Sequence, residues 1–192
     1  MKVIRNAIFL MVLMLSASAG LAQKCKYSSK SIRKANKHFT EEKIIQGTKL
    51  KPMFSKFSQA ASGYFVKSEE NYYLALILVR ELGRRIDILK DNPMVIQLAN
   101  DEILTLYPDR DLPGKFTLPV TTEINRPFYK VSSEELELLA SNPIAHVKIY
   151  FSSDKVSEEK LGRDDLGTFF DYEILSERLQ ANLQEPAQCI SK

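Results

Sequence analysis

Tryptophan is absent from the chain, histidine occurs twice and glycine seven times in 192 residues. Each shortage removes a chemistry. The scattered glycines form no Gly-rich phosphate loop. The two histidines, His38 and His146, lie in no H-E-x-x-H, so the usual zinc-hydrolase arrangement of two imidazoles on one helical face is missing, and the G-x-S-x-G serine motif is missing too. Each histidine reads as an ordinary surface or half-buried residue. With no tryptophan and few histidines, a sugar-cleaving cleft is disfavoured, although a catalytic carboxylate separation of about 5 to 9 Å is a property of the fold and not of the sequence.

Long apolar runs are equally scarce. The chief one, residues 7–15, is about half the roughly 20 residues needed to span a bilayer. It follows Lys2 and Arg5 and precedes the small residues Ser16, Ala17, Ser18, Ala19 and Gly20, an order that marks residues 1–22 as a secretory signal peptide. Small-x-small cleavage is possible after Ala19 or Ala22, and Ala22 is preferred. Gln23 and Lys24 separate that point from Cys25, which argues against a lipid anchor. The expectation is a soluble protein exported to the bacterial periplasm or beyond the cell, with no integral membrane segment once the leader is removed.

An excess of either charge is lacking as well. Loss of Lys2 and Arg5 takes two of the 27 basic residues, so the exported chain is nearly balanced against 24 acidic ones. That disfavours a dedicated nucleic-acid binder. The charges are nonetheless polarised along the chain. Lys24, Lys26, Lys30, Arg33, Lys34 and Lys37 precede the first acid, Glu41, whereas Asp154, Glu158, Glu159, Asp164, Asp165, Asp171, Glu173 and Glu177 crowd the other end. Residues 23–59 therefore read as a basic arm ahead of a single domain over 60–192. The arm either meets an anionic membrane surface or polyanion, or lies near the acidic segment of its own chain, and the second reading is favoured because exposed ion pairs are weak but common.

The only cysteines, Cys25 and Cys189, stand near the two ends and form no C-x-x-C. In an exported chain a disulfide between them is the expected arrangement, with free thiols or a bridge to another chain as the alternatives. Closing so long a loop is worth about 5 kcal/mol in the chain-entropy model.

Periodicity predicts an α+β fold. Residues 27–43 suit a short basic helix, ended by Gly47 and Pro52. Residues 64–67, 72–81, 85–90, 94–99 and 102–107 are rich in β-branched and aromatic side chains, with short polar separators, and read as an antiparallel β-meander sheet. Residues 72–79 are apolar on both alternations and predict a central strand covered on each side. Residues 112–125, with Pro113, Gly114 and Pro119, read as a loop or irregular edge.

A strand at 128–131 then enters a capped helix. Ser132 and Glu135 form a capping box, Val131 and Leu136 the hydrophobic staple, and Asn142-Pro143 the stop. Residues 144–151 form a strand. An amphipathic C-terminal helix is expected over 166–183, from the stripe Phe169, Tyr172, Leu175, Leu179 and Leu183. Its partner would be the chain's own sheet, ahead of another subunit or a membrane.

Asp109, Asp111 and Gly114 match the opening of a calcium loop, but Pro113 and Val120 occupy positions where oxygen ligands are required. The cluster reads as a turn, and Asp164-Asp165 as charges favouring a helix start. No catalytic, metal or cofactor site is assigned.

The stretch Tyr129-Lys130-Val131-Ser132-Ser133-Glu134-Glu135-Leu136, with Leu139, Asn142-Pro143-Ile144 and Val147-Lys148-Ile149-Tyr150, resembles a segment of small uncharacterised exported proteins of Bacteroidota-type bacteria. The resemblance covers roughly residues 60–151 and implies a β-meander before a helix-then-strand unit. It carries no site and no activity.

Two functions follow. The first is a non-enzymatic exported module that binds a partner, either a protein or an envelope component, or supports the envelope. The alternative is a hydrolase or metal-dependent enzyme using scattered carboxylates, with Asp109 and Asp111 the nearest candidates. The residues name neither the partner nor the oligomeric state.

Overall fold

The structure, a computed structural model, describes residues 25–56, 59–81, 87–114, 116–117, 122–151 and 169–191. Two antiparallel sheets and a few short helices make up an α+β fold.

The larger sheet is built around β3 (Gln59–Lys67) and β4 (Tyr72–Glu81), paired along their length from Gln59↔Arg80 to Lys67↔Tyr72. On the far side of β3 lie β1 (Gln46–Gly47) and β2 (Lys51–Lys56). On the far side of β4, β8 (Thr122–Asn125) pairs with its end and β9 (Phe128–Val131) with its beginning. β7 (Phe116–Thr117) closes that edge against β8. The smaller sheet runs β11 (Phe169–Glu173), β10 (Ile144–Tyr150), β5 (Met94–Leu98), β6 (Ile103–Leu106).

Alternation along β4 assigns its side chains to two cores. Leu74, Leu76 and Leu78 join Phe65, Tyr129, Met94, Ile96, Val147 and Ile149 in the main core, which draws on both sheets. Tyr73 and Ala75 face the opposite way and pack with Tyr64, Val66, Phe128, Ala35 and Phe39. The expectation of a central strand covered on both faces holds over residues 73–76, while Ile77 and Val79 are only half-buried.

The cover on that second face is α1 (Ser29–His38), capped by Ser28, whose side chain accepts from the Ser31 backbone N–H. Residues read as an arm are thus built into the fold. α1 packs on the large sheet and β1 and β2 extend it, so no structural boundary falls at residue 60.

The expected single meander is instead divided. β3 pairs with β4, and β5 with β6, but β4 and β5 belong to different sheets. Within 85–90 no strand forms among the described residues. Ile88 is buried and makes an isolated bridge with Leu112. Residues 122–125, read as part of an irregular edge, are β8, because β4 presents a free ladder there.

The capped helix is α2 (Ser133–Ser141), with the Ser132 and Glu135 reciprocal bonds in place and Leu136, Leu139 and Ala140 buried. Towards the C-terminus the expected helix over 166–183 is corrected. Phe169–Glu173 is a strand whose buried residues, Phe170 and Tyr172, alternate with period two, while Leu175 of the supposed stripe is 82% exposed. Open ladder groups on β10 take up these aromatic residues. Helix follows only as α3 (Glu177–Gln180), a 3-10 turn (Ala181–Leu183) and α4 (Gln184–Ile190). Pro186 has no N–H to continue the ladder back to Asn182, which accounts for the tightened turn. Leu183 seats over Gly63 of β3, where a Cβ would stand 3.1 Å from Met53 Sδ and 3.3 Å from a Leu183 methyl.

Candidate functional site

The C-terminal turn of α1 delivers His38 to the large sheet. Its ring stacks on Phe128 of β9 at 4.3 Å between centroids, and its Nε2 lies 3.0 and 2.8 Å from the two Asp109 oxygens. Asp109 is held there by its backbone. Its N–H donates to the Phe128 carbonyl, and the neighbouring Pro108 bridges Tyr129, so the segment after β6 is pinned to β9. Arg110 Nε donates to Asp109 Oδ2 at 2.7 Å, with its guanidinium 5.7 Å from the Phe39 ring centroid. Burial works to raise the Asp109 pKa, but hydrogen bonds from His38 and Arg110, and their charges, outweigh it and hold the carboxyl below its ordinary value.

Beside this pair, Glu42 is held by three donors. The Ser68 hydroxyl and Asn71 Nδ2 donate to Oε1, the latter at 2.8 Å, and the Tyr73 hydroxyl donates to Oε2 at 2.6 Å. Ser68 and Asn71 close the β3–β4 turn on themselves, with Ser68 N–H to Asn71 O at 2.9 Å, so that the turn presents both donors together. Burial opposes ionisation of Glu42, yet bonds from Ser68, Tyr73 and Asn71, with the charge of Lys130, hold its pKa below the ordinary value. Burial and then the Glu42 carboxylate push the Tyr73 hydroxyl pKa upward.

An open depression of about 340 Å³ lies between the two clusters, lined by Phe39, Glu42, Tyr73, Asp109 and Arg110. A second, of about 410 Å³, shares Glu41 and Glu42 and continues over the β3–β4 turn. Of the carboxylates lining the first, Glu42 and Asp109 are engaged by internal donors while Glu41 is exposed, and among the described residues no hydroxyl hydrogen-bonds to His38. What the arrangement does is fasten α1 and the following turn to the sheet. A depression of about 450 Å³ lies elsewhere, between Gln97, His146, Glu173, Leu175 and Gln180, where His146 pairs across strands with Asp171.

Cys25 and Cys189 form a disulfide, with Cα atoms 5.4 Å apart, and Tyr27 and Lys51 tie the same region through the Cys189 carbonyl and Glu185. Asp109, Asp111 and Gly114 point to separate partners. Asp109 meets His38, Asp111 accepts from the Lys90 N–H at 2.6 Å, and the Gly114 N–H donates to Asp87 at 2.7 Å. The chain bends at Asp109 and Arg110, and among the described residues no group of three or more histidine, cysteine or acidic side chains is placed to hold a metal ion. Val120 and Asp164-Asp165 lie outside the described residues.

The residues that sequence reasoning overlooks are Glu42, Tyr73, Ser68, Asn71 and Arg110. No local pattern marks the Glu42 cluster, since its bonds join elements distant in sequence, as Glu42 and Tyr73 are, 31 residues apart.

No protein-family model, curated protein or solved structure matches the chain. No helix among the described residues is long and apolar enough to cross a membrane.

Proposed function

We propose that the protein is an exported, non-enzymatic module of the bacterial envelope, closed end to end by a disulfide, that acts by binding. The observation that carries this reading is the bridge between Cys25 and Cys189, which joins residues 164 positions apart and is characteristic of an oxidising compartment. The leader over residues 1–22 supports the same destination.

Binding is favoured over catalysis by the use made of the ionisable groups. His38 hydrogen-bonds to Asp109 and Tyr73 to Glu42, contacts that hold elements together, whereas a general base needs an unspent lone pair facing substrate. The enzymatic alternative takes Asp109 and Asp111 as its nearest candidates among scattered carboxylates, and their separate partners favour the binding reading over it.

Cell fractionation of the producing bacterium, with intact-mass measurement of the recovered chain, tests the proposal. A processed, disulfide-bonded chain in the periplasm or medium is expected. An unprocessed, reduced chain in the cytosol overturns it.

A further inference from the structure

The cations of α1 occupy one side of that helix. Lys30, Lys34 and Lys37 recur at spacings of four and three, so they share the side next to the one that buries Ser31 and Ala35. A further cation comes from the sheet. Asn125 pairs with Leu78 and Phe128 with Ala75, so Arg126 lies alongside Ile77. Partial burial, then the charges of Arg126 and Lys30, depress the Lys34 pKa, as expected of cations gathered at one place. Among the described residues none of these four has an ion pair, and α1 carries no acid in its first turn.

This cationic edge borders apolar surface. α1 covers Tyr73, Ala75 and Phe128, but Ile77 is only partly buried against it. By register the same face continues through Val79, opposite Ile124, and through Ser62, opposite Ile77. All three continuing residues are half-buried and belong to neither core cluster. Apolar side chains beside clustered, unpaired cations match the boundary between phosphate headgroups and acyl chains.

A single-stranded nucleic acid would instead gain from exposed rings on which its bases stack. The aromatic residues here, Tyr64 and Phe128, are buried beneath α1.

We infer that the side of α1 bearing Lys30, Lys34 and Lys37, together with Arg126 and the adjoining Ile77, Val79 and Ile124, docks the protein on an anionic phospholipid bilayer. The inference rests on the envelope location proposed above and gives that module its partner. Contact is peripheral, with cations on phosphate oxygens and the apolar residues at the headgroup boundary, and it weakens with salt.

Sedimentation of the full exported chain, with its disulfide formed, against vesicles of equal parts phosphatidylglycerol and phosphatidylcholine tests this. Partition onto these vesicles and not onto phosphatidylcholine alone is expected, and added salt should release the protein. Changing Lys34→Gln and Arg126→Gln together should weaken partition about twenty-five-fold, roughly fivefold for each cation. Ile124→Asn should weaken it at low salt, with thiol titration confirming that each variant keeps the bridge. Equal partition onto both vesicle types, or no loss in the double variant, overturns the inference. So does retention by dextran sulfate without vesicle binding, which reassigns the face to a soluble polyanion. Fractionation distinguishes the two proposals, because an exported, processed chain that ignores vesicles leaves the envelope reading standing and removes only the lipid partner.

Discussion

His38 and Asp109, 71 residues apart in sequence, meet through Nε2 and Oδ2 at 2.8 Å and join the end of α1 to the segment that follows β6. Both side chains are largely shielded, with 14% and 11% of their surface exposed, so the pair is less screened by solvent than a surface ion pair. A double-mutant cycle with His38→Ala and Asp109→Ala, followed by urea unfolding at neutral pH, should give a coupling energy of about 1 to 3 kcal/mol. Strict additivity would show that the contact does not hold α1.

Acid should loosen the same region. The Asp109 and Glu42 carboxyls have folded pKa values below their ordinary 3.8 and 4.5. As pH falls, the unfolded chain takes up these protons first. Their contribution is therefore complete above the ordinary carboxylate range and is lost as pH drops through the folded values. Urea midpoints measured from neutrality downwards should hold steady and then decline below that range, and Asp109→Asn should flatten part of the decline. A wild-type profile matching that of the variant would contradict this.

Reduction of the Cys25–Cys189 bridge should lower stability by up to about 5 kcal/mol, since it frees a loop of 164 residues in the unfolded chain. Thiol titration under denaturing conditions should find no reactive thiol before reduction and both cysteines after it. Two thiols without reductant would refute the bridge.

Tyr129 is fully buried in the main core, and its hydroxyl has no hydrogen-bond partner among the described residues. Tyr129→Phe should leave thermal stability unchanged or raise it by about 1 kcal/mol, because the unpaired polar group is removed and the ring stays. A clear loss of stability would show that the hydroxyl is engaged.

Ser132→Ala should cost about 1 kcal/mol by removing the α2 cap, read out as a lowered urea midpoint. No change would mean that burial of Leu136 and Leu139 alone sets the position of that helix.

The reading of α2 shows where sequence suffices. Ser132, Glu135, Val131 and Leu136 act within one turn of each other, so the pattern and the structure are almost the same statement. β4 was equally legible, because apolar residues on both alternations have few outlets other than a central strand. The segment 169–173 was misread because Phe169, Tyr172 and Leu175 also satisfy helical spacing, and only the open edge of β10 selects the strand. The candidate site was legible only as isolated residues, His38 and Asp109, with Glu42 and Tyr73 unnoticed.

By itself the sequence determined what local physics settles: an α+β composition of short strands, the cap of α2 and two cysteines far apart in the chain, Cys25 and Cys189. The tertiary structure decided which strands share a sheet, that the basic segment lies against β3, β4 and β9, and that Cys25 and Cys189 come within bonding reach. The division follows from chain separation. Capping and alternation act over a few residues, whereas sheet partners and the contacts of His38 and Glu42 are chosen by packing among segments tens of residues apart.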